Sequence, residues 1–226
     1  MFIESITAGP WQTNTYVVGG DGSGEVLVID AGIDSYGPIG VLLEERGWVL
    51  AGVLATHGHV DHIADAARLA NEAGVPVWLH GADAFMLTHP SAGIGGDAGP
   101  LMVELFGADR LPEPDELIDL ADCGEVEVAG VRLAVVHAPG HSPGSVVFVA
   151  TGDPVVFTGD VVFANSIGRT DLPGGDSATM MATLREVVAR LPVDSRLLPG
   201  HGPTTTLAQE FASNPYLAPI RLKATR

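Results

Sequence analysis

The sequence predicts an α/β protein, a four-layer αββα sandwich in which two sheets pack face to face and helices cover the outer faces. Three observations point there. Short β-rich apolar runs bounded by Gly, Pro or Asp recur along the whole chain, helical patterns lie between or after them, and strands come first in each half. At 226 residues and 46% hydrophobic the chain can bury a sizeable core, which excludes a disordered or fibrous protein. A single domain over residues 1–226 is expected.

In chain order, strands are predicted at Thr15 to Val18, Glu25 to Ile29, Gly52 to Ala55 and Val75 to Leu79. Several of these runs are apolar without alternation, as strands covered on both faces must be. Between them, Ile39 to Arg46 closes on Gly47 and Ile63 to Ala73 closes on Gly74, the signature of helices ending in a left-handed glycine. The stretch Gly93 to Glu116, rich in Gly, Pro and acidic residues, reads as a long loop joining the two halves. Strands then follow at Val131 to His137, Ser145 to Ala150 and Pro154 to Phe157. Ser177 to Leu191 carries Met180, Met181, Leu184, Val187, Val188 and Leu191 at the period of an amphipathic helix, and Arg196 to Leu198 reads as a last strand.

Lys plus Arg total 11 against 28 Asp plus Glu, a formal charge of −17, so neither nucleic-acid phosphate nor anionic lipid is an expected partner. The one cysteine, Cys123, has no internal disulfide partner and reads as a buried thiol in a reducing compartment. Met1 to Ser5 shows no basic stretch leading into an apolar core, and no apolar run approaches the roughly 20 residues that span a bilayer. These features predict a cytoplasmic, membrane-free globule.

The sharpest feature is Thr56-His57-Gly58-His59-Val60-Asp61-His62, placed between an apolar strand and a helical pattern. Residues two apart on extended chain face the same side, so His57 and His59 can share one ion. The turn into the helix then swings Asp61 and His62 elsewhere, and a second ion is the natural geometric solution. Further donors stand at strand ends: His141, Asp160 and His201, each flanked by small residues that let the backbone turn and leave the approach uncrowded. Asp160, with two equivalent oxygens, is the candidate bridge. Two divalent ions per chain are expected; imidazole and carboxylate donors suit Zn²⁺ and also Fe or Mn. His80, His89 and His137 lie outside the pattern, and His137, in its strand, reads as packed or hydrogen-bonded.

The H-x-H-x-D-H block at 57–62, followed by His141, Asp160 and His201, resembles the metallo-β-lactamase superfamily. Within it, Ser166 to Asp171, Pro173 to Asp176 and Asn214 to Leu217 are similar to the short glyoxalase II-like hydrolases. The resemblance implies His57, His59 and His141 on one ion, Asp61, His62 and His201 on the other, and Asp160 between. Glyoxalase II enzymes carry a helical C-terminal extension supplying much of the glutathione site, whereas the segment after His201 is short here. They also place Lys and Tyr where this chain has Arg169 and Asp171. Arg169 is therefore a candidate to bind a substrate carboxylate, and equally a candidate for a salt bridge with Asp171 or Asp176.

Two cations sharing one water lower its pKa towards neutrality, and Asp61 is placed to orient that water or accept its proton. The resemblance to glyoxalase II-like hydrolases implies hydrolysis of a small-molecule thioester by a metal-bridging hydroxide, and a thiolate, which leaves with less protonation than an amine or alkoxide, fits that reaction. The alternatives are a mononuclear-iron persulfide dioxygenase using two His and one Asp, and another superfamily hydrolase such as a lactonase or β-lactamase. A non-catalytic metal-binding scaffold is the alternative from a different class.

Overall fold

Period-two alternation along the strands sorts the buried side chains into three apolar layers. In β3 (Glu25–Ile29), Val26 and Val28 face one layer while Leu27 and Ile29 face the next. In the second half, Phe148 of β9 (Val146–Ala150) and Phe157 of β10 (Val155–Gly159) join Leu27 and Ile29, whereas Val147 and Val156 point to the third layer. Three apolar layers require four layers of secondary structure, the expected αββα sandwich. The computed structural model describes residues 1–20, 22, 24–107 and 109–220. Among them, no helix is long and apolar enough to cross a membrane.

The first sheet has six strands in sequence order: β1 (Phe2–Ala8), β2 (Thr13–Gly19), β3, β4 (Val49–Leu54), β5 (Val77–Leu79) and β6 (Leu117–Asp119). β1, β2 and β3 are antiparallel, and from β3 onward the pairing is parallel, with helical connections crossing one face. The second sheet joins β7 (Glu125–Val128), β8 (Val131–His137), β9 and β10 to β13 (Arg196–Pro199) and β14 (Thr205–Thr206), in the order β14-β13-β10-β9-β8-β7. A hairpin of β11 (Val162–Phe163) and β12 (Ser166–Ile167) stands apart from both sheets. The innermost layer lies between the sheets, where Phe148 and Phe157 are fully buried, each worth about 1.5 to 3 kcal/mol of apolar burial.

The strands expected at 25–29 and 131–137 stand with those bounds. Other expectations change. The stretch 93–116 is not one loop: Gly99–Phe106 is a helix, started by Pro100 in its first turn, anchored by fully buried Met102 and closed on Gly107 at φ 77°. The helix expected over 63–73 divides into Val60–Ile63 and Ala66–Ala73. At the break the Asp65 N–H donates to the Ala31 carbonyl at 3.0 Å, and its carboxylate accepts the Tyr36 N–H at 2.9 Å. The helix expected over 177–191 ends at Glu186 and continues as a tighter turn at Val188–Arg190. Cys123 is half-buried rather than buried.

Candidate metal centre

The donors gather where the strand ends of the two sheets meet. His57, His59, Asp61 and His62 follow β4 of the first sheet; His141 follows β8, Asp160 follows β10 and His201 follows β13 of the second. The seam itself is tied by backbone and side-chain bonds: Val146 N–H to the Thr56 carbonyl at 2.8 Å, and Asn14 Nδ2 to the Pro199 carbonyl at 3.0 Å. A Cβ on Gly200 would come within 2.3 Å of Asp160 Oδ1 and 2.6 Å of His62 Cε1, so the residue before His201 has to be glycine for these groups to close up.

Two triads result. His141 Nε2 lies 3.2 Å from His57 Nε2 and 2.8 Å from His59 Nδ1, all three side chains being buried. His62 Nε2 lies 3.4 Å from His201 Nε2 and 3.4 Å from Asp61 Oδ2, and the latter is 3.1 Å from His201 Nε2. Asp160 joins them: its Oδ2 is 3.4 Å from His141 Nε2 and 3.5 Å from His201 Nε2. Tetrahedral donors bound at about 2.0 to 2.1 Å to a common ion sit about 3.3 Å apart, the range of these separations.

The hydrogen bonds around the rings show what the donors can accept. His62 Nδ1 donates to Asp30 Oδ2 at 2.9 Å, His141 Nδ1 to the Arg169 carbonyl at 2.7 Å, and His201 Nδ1 to the Trp11 carbonyl at 3.1 Å. Thr56 Oγ1 gives its proton to Asp30 Oδ2 at 2.8 Å and so accepts from His57 Nδ1 at 3.1 Å. Each of these four rings spends its proton outward and turns a bare Nε2 inward, where lone pairs face one another and the carboxylates. Asp160 Oδ1, buried, accepts no hydrogen bond. Only a cation satisfies such a donor set, and it fits divalent ions.

Charge balance agrees. Burial, then the neighbouring His141, pushes His59 down to about 3, and burial and the surrounding imidazoles hold His57 well below its ordinary value. At His62 burial acts downward too, but Asp61, Asp160 and Asp30 outweigh it and carry the ring up to about 10. Burial would raise Asp61, yet His62 and His201 hold its carboxyl below the usual carboxylate range. The second triad thus draws positive charge, which a proton supplies in the metal-free chain and an ion would replace.

The pattern of the metallo-β-lactamase superfamily matches residues 8–201. The chain belongs to the metallo-β-lactamase superfamily. A "Hydroxyacylglutathione hydrolase GloC" of Haemophilus influenzae is 33% identical over 221 residues, covering 96% of this chain and 98% of the relative. Among solved structures, the "BLEG-1 B3 metallo-beta-lactamase" superposes with a TM-score of 0.82 at 33% identity, covering 96% of this chain and 99% of the other. "TTHA1623 in a di-iron-bound form" does so with 0.78 at 35% identity, covering 95% and 100%. Superfamily membership makes this a metal-dependent hydrolase fold with a divalent-metal centre.

All seven expected donors of this superfamily member come together, and Arg169 lies on the wall of the adjoining cavity with its guanidinium on Asp171, both bonds 2.7 Å. Two residues that the sequence reading did not single out also shape the centre. Asp30, buried at the end of β3 at φ 60°, accepts from Thr56 N at 2.7 Å as well as from Thr56 Oγ1 and His62. An acidic residue closing the apolar run Val26-Leu27-Val28-Ile29 was the available signal. Asp83, fully buried, accepts from Gly58 N at 2.9 Å, Ser142 Oγ at 2.6 Å and Gly144 N at 2.7 Å, stapling the His57/His59 loop to the His141 loop. Nothing local in Gly81-Ala82-Asp83-Ala84 announces that role. His137 is hydrogen-bonded, donating from Nε2 to the Pro143 carbonyl at 2.8 Å, and its ring stacks on His80.

Proposed function

We propose that the protein is a glyoxalase II-like thioester hydrolase of the cytoplasm, working with two divalent ions, zinc by preference and iron or manganese as substitutes. The observation that carries this reading is Asp160, one carboxylate facing both triads at 3.4 and 3.5 Å. His57, His59 and His141 would hold one ion, and Asp61, His62 and His201 the other. When bound, the ions lower the pKa of a shared water and polarise the substrate carbonyl.

The chain does the rest. Asp61, ionised and fixed by a 3.0 Å hydrogen bond from Thr13 Oγ1, orients the attacking water, whose proton passes to solvent. The water oxygen bonds to the carbonyl carbon, the carbon–sulfur bond breaks, and its electron pair leaves on sulfur. A thiol pKa near 8.5 lets the thiolate depart without a dedicated acid. The likeness to the Haemophilus hydrolase supports a thioester over a lactone.

Protein purified without chelator should hold about two ions per chain. Asp160→Ala should lose both, and His201→Ala mainly one. Turnover of an acyl thioester should be equal with and without oxygen. One ion per chain, unaltered in Asp160→Ala, together with oxygen-dependent turnover of a persulfide, would move the assignment to the mononuclear dioxygenase.

A further inference from the structure

The cavity beside the triads, about 580 Å³, has an apolar wall of Trp11, Ile94, Phe163, Ile167 and Leu172. Phe163 and Ile167 come from the β11–β12 hairpin and Trp11 from the β1–β2 turn, where the residue is 40% exposed and can receive an apolar group. Among the described residues lining this space, Arg169 is the one side chain with a permanent positive charge. The Nε/Nη2 edge of its guanidinium is taken: Nε donates to Asp171 Oδ1 and Nη2 to Asp171 Oδ2, each at 2.7 Å, so the charge faces a carboxylate already in place.

The pair is exposed and therefore weak in itself. The competition still favours it. Asp171 is tethered two residues away and meets the guanidinium at an effective concentration of about millimolar or higher, so a substrate carboxylate has to displace it. The surrounding charge of −17 further disfavours an incoming anion. We propose that Asp171 neutralises Arg169, so that the cavity selects thioesters whose non-reacting portion is uncharged and apolar over those carrying carboxylates. This rests on the thioester reading for the reacting bond, but the selection itself concerns only the part of the substrate that the cavity walls touch.

The test separates the two. Two non-hydrolysable thioethers sharing one acyl-like group, one ending in N-acetylcysteamine and one in glutathione, are titrated calorimetrically into the metal-loaded protein. The neutral ligand should bind about tenfold more tightly. Asp171→Asn, which frees the guanidinium, should tighten the glutathione ligand about tenfold and leave the neutral one unchanged. Equal or tighter binding of the glutathione ligand to the wild type, or an Asp171→Asn variant that improves neither, overturns the proposal. The matching thioesters are then assayed for hydrolysis. Failure of both to turn over overturns the thioester reading while the binding data still decide the selectivity, and a KM gap in the same direction supports both.

Discussion

Replacing Asp30 by Asn keeps the shape of a buried side chain and changes only which of its atoms accept. In the wild type, Oδ1 accepts the Thr56 N–H at 2.7 Å and Oδ2 accepts from Thr56 Oγ1 at 2.8 Å and His62 Nδ1 at 2.9 Å. An amide cannot serve both sides. If its oxygen faces away from the Thr56 N–H, that buried donor is orphaned at a cost of about 1 to 3 kcal/mol. The oxygen therefore takes the Oδ1 position and the NH₂ group meets His62 Nδ1, forcing the imidazole proton across to Nε2. The lone pair offered to the second ion is then lost. Disturbing such a supporting partner weakens metal affinity about ten- to a hundredfold, or about 1.4 to 2.7 kcal/mol. Competition against a chromophoric chelator, which resolves the two binding steps, should show this loss in the Asp61/His62/His201 step. The His57/His59/His141 step feels the change only through Thr56 and should move less. A folded Asp30→Asn protein that binds both ions as the wild type does would refute the idea that Asp30 sets the tautomer of His62.

Asp83→Asn should act on the other triad, since the amide must face the N–H of either Gly58 or Gly144; the expected cost is about 1 to 3 kcal/mol in urea unfolding, with the first ion released more readily to chelator. Gly168→Ala would set a Cβ 1.8 Å from the Asp160 carbonyl oxygen, so a loss of about 1 to 3 kcal/mol in thermal stability and a fall in metal per chain are expected. In chelated protein, stability should peak near pH 6.5. Below it the unfolded chain binds more protons than native His59, whose value falls from 6.5 to about 3, so stability drops as pH falls through that window. Above it native His62, raised from 6.5 to about 10, binds more protons than the unfolded chain, so stability drops as pH rises. A urea midpoint climbing steadily to pH 9 would contradict this.

What the sequence made legible was whatever a short window contains. Glu25 to Ile29 and Val131 to His137 could be bounded because turn residues flank them, and the 57–62 block because four donors in six residues have little structural purpose. What it hid depends on partners far along the chain. Asp83 acts on Ser142 and Gly144, 59 and 61 residues away, and its own neighbourhood is an ordinary helical start. The helix at Gly99–Phe106 was masked by the glycines and acidic residues around it, although Pro100 and Gly107 are its start and stop. β1 pairs along all seven of its residues with β2, an arrangement invisible without the partner. Arg169 was the opposite case: both of its candidate partners could be named from sequence, and only geometry shows Asp171 holding the guanidinium.

The seam between the sheets has a consequence for assembly. Each half of the chain carries an unfinished set of donors, two imidazoles plus a further Asp-His pair from the first, and His141, Asp160 and His201 from the second. Neither set can close a coordination shell alone, and each half also leaves bare the inner face that holds either Leu27 and Ile29 or Phe148 and Phe157. Metal uptake and the docking of the halves are therefore one equilibrium, because an ion that binds only the joined form stabilises it in proportion to the logarithm of free metal concentration. Bound metal would then be a rivet as much as a reagent. A chain severed between β6 and β7 should yield two fragments that find each other better when zinc is present than when it is stripped away, and depletion of metal in a cell would loosen the architecture along the line where the chemistry takes place.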